Sequence, residues 1–300
     1  MSYMYKILSV LLILSFGLSQ TDWYKDTDED GYTDRQEKHF GSDPNDYNST
    51  IYEGGWPYNM YKDKIVDPGW GSCAGLPKGN GCECSSDNQC MKGSTCEILF
   101  TTQNCMPKKG AQIPRFVGVD QFGDYFDLYD LAKQNCNENG DECTPILIET
   151  STMWTQPAHL LSSWLAYGDE EIYTMPWWQD NFENMKAIID AGDIFYVRVL
   201  HQGSVKGDII EPDEAATWHN AYPHLNVITV ADPDAYLKTW IRPTGMPCLT
   251  LINGEDMTIR TTAEGTHGDA QLRRGVKQAF EAAMFDNYMK TMHQEDKLEE

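Results

Sequence analysis

Ile146-Leu147-Ile148-Glu149-Thr150-Ser151-Thr152-Met153-Trp154-Thr155-Gln156-Pro157-Ala158 is the stretch that decides the fold. Residues Ile146 to Thr150 open with a continuous apolar run, the pattern of a strand in a sheet covered on both faces. Pro157 to Tyr167 reads as a helix. The two are joined by a short turn, so a buried strand feeds directly into a helix, the building unit of an α/β domain. Thr155 stands at the helix start. Threonine is a favoured N-cap, so its hydroxyl is expected to accept from the Ala158 amide while Pro157 occupies the first turn.

Working outward, Phe116–Val119 and Tyr125–Leu128 flank Gln121-Phe122-Gly123-Asp124, a hairpin signal. A short helix starts over Leu128–Ala132. Trp178–Ala191 reads as a helix ended by Gly192, Ile194–Leu200 as a strand, Pro212–Ala221 as a helix, Val227–Val230 as a strand and Ala235–Ile241 as a short helix. Cys248–Ile252 and Met257–Thr261 form a predicted hairpin around Asn253-Gly254-Glu255-Asp256. Asp269–Met284 closes the domain as a helix, and 287–300 is a polar tail expected to fray.

This order of elements resembles a thioredoxin-like fold, and residues 146–157 resemble the first central strand and active-site turn of the redoxin family, the exported thiol-disulfide oxidoreductases and peroxiredoxin-like proteins. Phe116–Leu131 resembles that family's N-terminal hairpin. The resemblance covers roughly residues 112–284 and implies an α/β domain with a mixed sheet flanked by helices. It also implies a Trp-Cys-x-Pro-Cys dithiol at the turn, where a helix N-terminus lowers a thiol pKa. Here Thr155 fills the nucleophile position and Ala158 the resolving position, with Trp154 as the flanking aromatic and Pro157 between them. Pro247, in Gly245-Met246-Pro247, is by the same resemblance the cis-proline that shapes a peptide-docking edge. Thiol-disulfide exchange needs a thiolate attacking sulfur, which neither Thr155 nor Ala158 supplies.

Other thiols remain. The chain holds nine cysteines. Cys248 follows Pro247 and is either a reactive thiol beside the empty site or a buried, inert residue opening the apolar run Leu249-Thr250-Leu251-Ile252. Cys136 and Cys143 face each other across a polar loop, which suits a structural disulfide or a redox-switching pair. Cys73, Cys82, Cys84, Cys90, Cys96 and Cys105 crowd a segment rich in Gly, Ser and Asn. Such a segment has too small a core to hold itself, so disulfides are expected. Six cysteines allow 15 connectivities, and the pairing stays open. Zinc is the competing reading, weakened by the absence of a Cys-x-x-Cys pair and of histidine within the segment. The histidines form no obvious site; His159, His201, His219 and His224 are scattered. No glycine-rich nucleotide loop and no Gly-x-Ser-x-Gly elbow occur.

Near the N-terminus, Asp26-Thr27-Asp28-Glu29-Asp30-Gly31-Tyr32-Thr33-Asp34-Arg35-Gln36-Glu37 carries oxygen ligands at the spacing of a twelve-residue calcium loop. Asp26, Asp28, Asp30, Asp34 and Glu37 supply carboxylates, the Tyr32 carbonyl adds a ligand, and Gly31 permits the sharp turn. The competing reading is an acidic solvated loop. Asp26–Asp46 resembles a thrombospondin type 3 repeat of exported bacterial proteins. Thr33 departs from the aliphatic residue of an EF-hand. The resemblance implies calcium as cofactor, held weakly, with Kd on the order of 10⁻⁴ to 10⁻³ M, and a role as a rigid spacer.

Lys6 followed by the apolar run Ile7–Leu18, with small residues before a cut after Ser19, reads as a secretory signal peptide. The run is too short to span a bilayer and no second span follows; a short uncleaved anchor is the alternative. The chain carries 46 acidic and 23 basic side chains, a formal charge of −23. With no Lys/Arg cluster, nucleic acid is excluded as a partner. The expected organisation is a signal peptide (1–19), a calcium-binding repeat (20–50), a linker (51–72) packing locally through Trp56, Tyr58 and Trp70, a cysteine-rich segment (73–108), a thioredoxin-like domain (109–286) and a tail (287–300).

The expected function is that of a calcium-binding protein, secreted or in the cell envelope. Its thioredoxin-like domain would bind a protein or extended peptide beside Pro247, without turnover. The rival is a redoxin-class oxidoreductase or peroxidase working through Cys248 or the Cys136/Cys143 pair. A third reading is a passive structural component of the envelope.

Overall fold

The protein is described by a computed structural model over residues 59, 61–99, 102–123, 125–134, 136, 143–241, 243, 245–261 and 276–289. The calcium loop, the signal-peptide stretch, Trp56, Tyr58 and the start of the closing helix lie outside the described residues. Chain contacts divide the protein into residues 1–58 and a compact unit, Asn59–Glu300.

That unit is built on a six-stranded mixed sheet. Its strands are β3 (Val117–Asp120), β4 (Tyr125–Asp127), β5 (Ile146–Ser151), β6 (Phe195–Leu200), β7 (Val227–Ala231) and β8 (Cys248–Ile252), in the order β4-β3-β7-β6-β5-β8. β5, β6 and β7 run parallel; β3 and β8 run antiparallel to their neighbours. Every residue of β5, β6, β7 and β8 is buried. That burial explains why these strands read as continuous runs and not as alternations. β3 comes unusually close to β7: a Cβ on Gly118 would stand 2.4 Å from Val230 Cγ1, so only glycine fits there.

Four helices are relevant to one face: α1 (Gln156–Tyr167), α2 (Glu183–Ala191), α3 (Pro212–Ala221) and α5 (276–289). Leu160, Leu161, Trp164 and Leu165 of α1 pack with Met185 and Ile189 of α2 and Phe280 of α5 over Leu147, Tyr196 and Leu251. α1 ends on Gly168 in the left-handed region (φ 72°), whose amide returns to the Trp164 carbonyl at 2.9 Å. Between α1 and α2, Trp178 sits at the hub of an aromatic cluster. Trp164, Tyr173 and Phe182 lie 4.9, 5.4 and 5.5 Å from it, and Phe182 meets Phe280 edge-on at 5.2 Å. Each such pair contributes about 0.5–1.5 kcal/mol beyond its buried area. α4 (Tyr236–Ile241) follows β7, and the Asp232 carboxylate accepts from the amides of Tyr236 and Leu237 at 2.9 and 3.0 Å.

The structure departs from the sequence reading at four elements. The helix predicted over Trp178–Ala191 is a 3-10 turn (Asp180–Phe182) followed by α2, because Trp177 and Trp178 are taken up by the aromatic cluster. The segment over Leu128–Ala132 is a 3-10 helix, Leu128–Leu131. The second arm of the hairpin, Met257–Thr261, is reduced to isolated bridges, Gln112 with Thr258 and Ile252 with Ile259. Met257 there adopts φ 60°, which breaks the extended backbone. The closing helix continues to residue 289, so the tail begins later than 287.

The cysteine-rich segment forms a two-stranded antiparallel hairpin, β1 (Ser94–Leu99) and β2 (Thr102–Pro107), held by the disulfides Cys73–Cys82, Cys84–Cys96 and Cys90–Cys105. A fourth bond joins Cys136 to Cys143.

Residues 59–72 are not the locally packed linker that the sequence suggested. Lys62 is buried, with Nζ 2.7 Å from Asp130 Oδ1 and 3.6 Å from Asp127 Oδ2. Asn59 donates its amide to Asp130 Oδ1 at 3.2 Å and its side chain to the Asp130 carbonyl at 3.1 Å. The Trp70 ring stacks on Tyr236 of α4 at 5.4 Å. Asn59 and Lys62 are thereby buried against the α/β domain, while most of residues 61–72 stay exposed.

Candidate functional site at the turn between β5 and α1

β5 delivers Thr152, Met153, Trp154 and Thr155 to the start of α1. Thr155 is extended (φ −91°, ψ 129°), and its carbonyl accepts from the amides of Ala158 and His159 at 3.1 and 3.2 Å. Its hydroxyl does not cap the helix, contrary to expectation. It accepts from Thr152 Oγ1 at 3.1 Å and points back to the Thr152 carbonyl at 3.5 Å. The Ala158 amide is already satisfied by the Thr155 carbonyl, so the hydroxyl turns to the nearer threonine.

Ala158, at the resolving position, is 0% exposed and packs with Met153, Leu200, Ile210, Ala215 and Trp218. α3 thus closes over the place where a second thiol would stand. Trp154 lies on the rim. Its Nε1 donates to Gln202 Oε1 at 2.7 Å, and the Lys206 ammonium sits 5.4 Å from the ring centre. The Met153 amide reaches the Gln202 carbonyl at 3.1 Å, tying the turn to the loop after β6.

Pro247 is brought to this turn by strand register. Thr150 stands opposite Cys248, so the residue before Cys248 falls beside the end of β5. The Met246–Pro247 peptide is cis. Cys248 is 4% exposed, and burial pushes its thiol up to about 12, outweighing the opposing effect of the neighbouring Thr150 and Thr250 hydroxyls. A thiol held that far from ionisation is a poor nucleophile. Cys136 and Cys143 are joined to each other, and Cys248 is the free cysteine among the described residues.

The sequence reading passed over a buried ionic cluster two residues before the turn. Glu149 of β5 faces Arg198 of β6 in register, and both are buried. Glu149 Oε2 accepts from Arg198 Nε at 2.8 Å and from the Tyr196 hydroxyl at 2.7 Å. Burial, then the neighbouring Glu149 carboxylate, drives the Tyr196 phenol well above its ordinary range. One charged residue of each sign, in two strands with no other charge, was the available signal.

His201 follows β6, buried, with its Nδ1 unpartnered; burial and then Lys238 lower its pKa to about 4. Asp232, just after β7, is raised to about 6, chiefly by burial. His159 bonds Tyr222 Oη through Nδ1 at 2.8 Å and stacks on Trp218 at 4.6 Å, and His219 meets Phe122 edge-on at 5.7 Å. These contacts set His159 and His219 against aromatic neighbours.

The calcium donor set, Asp26, Asp28, Asp30, Tyr32, Asp34 and Glu37, lies outside the described residues. Its chemistry of convergent carboxylates and a carbonyl fits a hard cation.

Residues 26–46 match the family of bacterial TSP3 repeats. No curated protein matches the chain. Solved structures similar to it include an exposed lipoprotein thioredoxin of Streptococcus pneumoniae, at 15% identity over 56% of this chain and 98% of that one, TM-score 0.34. A secreted disulfide oxidoreductase of Mycobacterium tuberculosis is 13% identical over 54% and 95%, TM-score 0.33. The thioredoxin domain of a thiol-disulfide oxidoreductase from Bacteroides vulgatus is 16% identical over 57% and 96%, TM-score 0.30. The thioredoxin-like assignment rests on the element order and strand pairing described above. No helix among the described residues is long and apolar enough to cross a membrane.

Proposed function

We propose that this is an exported, calcium-binding protein whose thioredoxin-like domain binds a protein or extended peptide at the β5–α1 turn beside Pro247, without thiol turnover. The carrying observation is an intact turn in which Thr155 and buried Ala158 hold the two thiol positions while Cys248, the nearest thiol, is sealed in the sheet. The rim has the chemistry of a binding surface. Trp154 is half-buried under Lys206, and the same loop exposes Val205 and Ile209, which suits apolar and acidic side chains of an extended partner. Four disulfides support an oxidising compartment. Asp26, Asp28, Asp30, Asp34, Glu37 and the Tyr32 carbonyl would hold calcium, which supplies charge neutralisation that orders the acidic repeat.

Insulin reduction by the purified protein tests the first part, and turnover above the uncatalysed rate would overturn it. Calorimetric titration with calcium tests the second. The expected result is weak binding lost in Asp30→Asn/Glu37→Gln, and binding unchanged by that pair would reject the loop as the site.

A further inference from the structure

The cysteine-rich hairpin gathers four sulfur atoms that the structure wires as an outer and an inner disulfide. Cys84 and Cys96 are half-exposed; Cys90 and Cys105 are buried. The sulfurs of Cys84, Cys90 and Cys105 all lie within 4.8 Å of one another. Cys96 and Cys105 stand directly opposite each other in the β1–β2 register, although each is bonded elsewhere. Directly opposed residues on antiparallel strands have Cα atoms about 4.5–5.5 Å apart, inside the range a disulfide bridges. A second complete pairing, Cys84–Cys90 with Cys96–Cys105, is thus within reach. Between Cys84 and Cys90 lie only exposed Ser85 and Ser86 and the 3-10 turn Asp87–Gln89.

We propose that Cys84, Cys90, Cys96 and Cys105 form a thiol-responsive exchange site, entered by an external thiolate at the Cys84–Cys96 bond. The thiolate attacks Cys96 Sγ. The Cys84–Cys96 bond breaks, a mixed disulfide forms on Cys96, and the electron pair leaves with Cys84. Cys84 Sγ then attacks Cys90 Sγ; the Cys90–Cys105 bond breaks, Cys84–Cys90 forms, and Cys105 leaves as thiolate. Cys105 attacks Cys96 across the ladder, closes Cys96–Cys105 and returns the external thiolate. Three S–S bonds form and three break, with no net oxidation or reduction. The consequence is mechanical: both bonds tying the Cys84–Cys90 arm to the hairpin are replaced by bonds internal to each. This site is separate from the β5–α1 turn and does not depend on how that turn functions.

Trypsin reads the outcome, because Lys78, Lys92 and Lys108 place Cys84 and Cys90 in fragment 79–92 and Cys96 and Cys105 in fragment 93–108. The full chain is incubated with a limiting amount of reduced glutathione, alkylated, digested and weighed by mass spectrometry. The expected result is release of fragment 93–108, unalkylated and internally bonded, which the untreated protein does not yield, with Cys136–Cys143 intact. Alkylation of Cys84 and Cys96 alone, with the two fragments still joined through Cys90–Cys105, would overturn the proposal. So would simultaneous opening of all four native bonds. In Cys84→Ser/Cys96→Ser the fragments should stay joined at the same thiol level; equal release there would show direct attack on the inner bond and reject the entry point.

Discussion

Glu149 and Arg198 face each other across β5 and β6 with Oε2 and Nε 2.8 Å apart, in the interior of the sheet. The Tyr196 hydroxyl is a second donor to the same oxygen, while Glu149 Oε1 and Arg198 Nη2 have no hydrogen-bond partner among the described residues. Removing one member leaves the other charge buried and unpaired. Arg198→Met is therefore expected to cost about 3–5 kcal/mol, and Glu149→Leu/Arg198→Met less than that single change, since no orphaned charge remains. Urea unfolding of the three proteins checks it; a double variant weaker than the single one would mean that the pair is a net source of stability.

The turn itself retains a thioredoxin-like arrangement without its thiols. Thr155→Cys/Ala158→Cys places a thiol at the start of α1, where the helix N-terminus favours the thiolate, and the added sulfur at 158 is little larger than a methyl group. The double variant is expected to reduce insulin at least about tenfold faster than the parent, and Thr155→Cys alone to give mixed disulfides without turnover. An inactive double variant that forms its new disulfide would show that the α3 cover over position 158, not the missing sulfur, blocks the chemistry.

His201 makes stability depend on pH. Its folded pKa is about 4 against an ordinary value of 6.5, so between these values the unfolded chain binds a proton that the folded chain does not. Stability from this group is full above about pH 6.5 and is lost as pH falls toward 4, a loss of about 2–3 kcal/mol. Asp130 and Asp232 act with the opposite sign. Each is raised from 3.8 to about 6, so each is stabilising in acid and loses that contribution as pH rises from about 4 to 6. Urea midpoints at pH 4.5 and 7 should therefore shift in favour of acid in His201→Gln relative to the parent; equal pH dependence of the two proteins would show that His201 titrates normally.

Lys62 tests whether residues 59–72 belong to the domain. It is sealed against Asp127 and Asp130, and burial dominates the rise of the Asp130 carboxyl while Lys62 opposes it. Lys62→Met leaves the two acids without that cation and should cost about 3–5 kcal/mol. A thermal unfolding midpoint within a degree of the parent would show that the contact is superficial.

Much of this architecture is written locally. Apolar runs at Ile146–Ile148, Phe195–Leu200 and Cys248–Ile252 specify buried strands because both of their faces need covering, and Gly168 and Gly192 end helices because only glycine enters the left-handed region freely. The identity of Thr155 and Ala158 likewise removes dithiol chemistry from the turn whatever surrounds it. What tertiary structure alone decided depends on how the folded backbone places each group. The Thr155 hydroxyl serves Thr152 and not the helix, because the backbone had already satisfied Ala158. Cys248 lost its acidity because the folded chain buries its thiol away from water. Lys62 joined the core because two aspartates, Asp127 and Asp130, lie within its reach. The six crowded cysteines, for which spacing offers no preference, pair as Cys73–Cys82, Cys84–Cys96 and Cys90–Cys105, although the β1–β2 register sets Cys96 opposite Cys105.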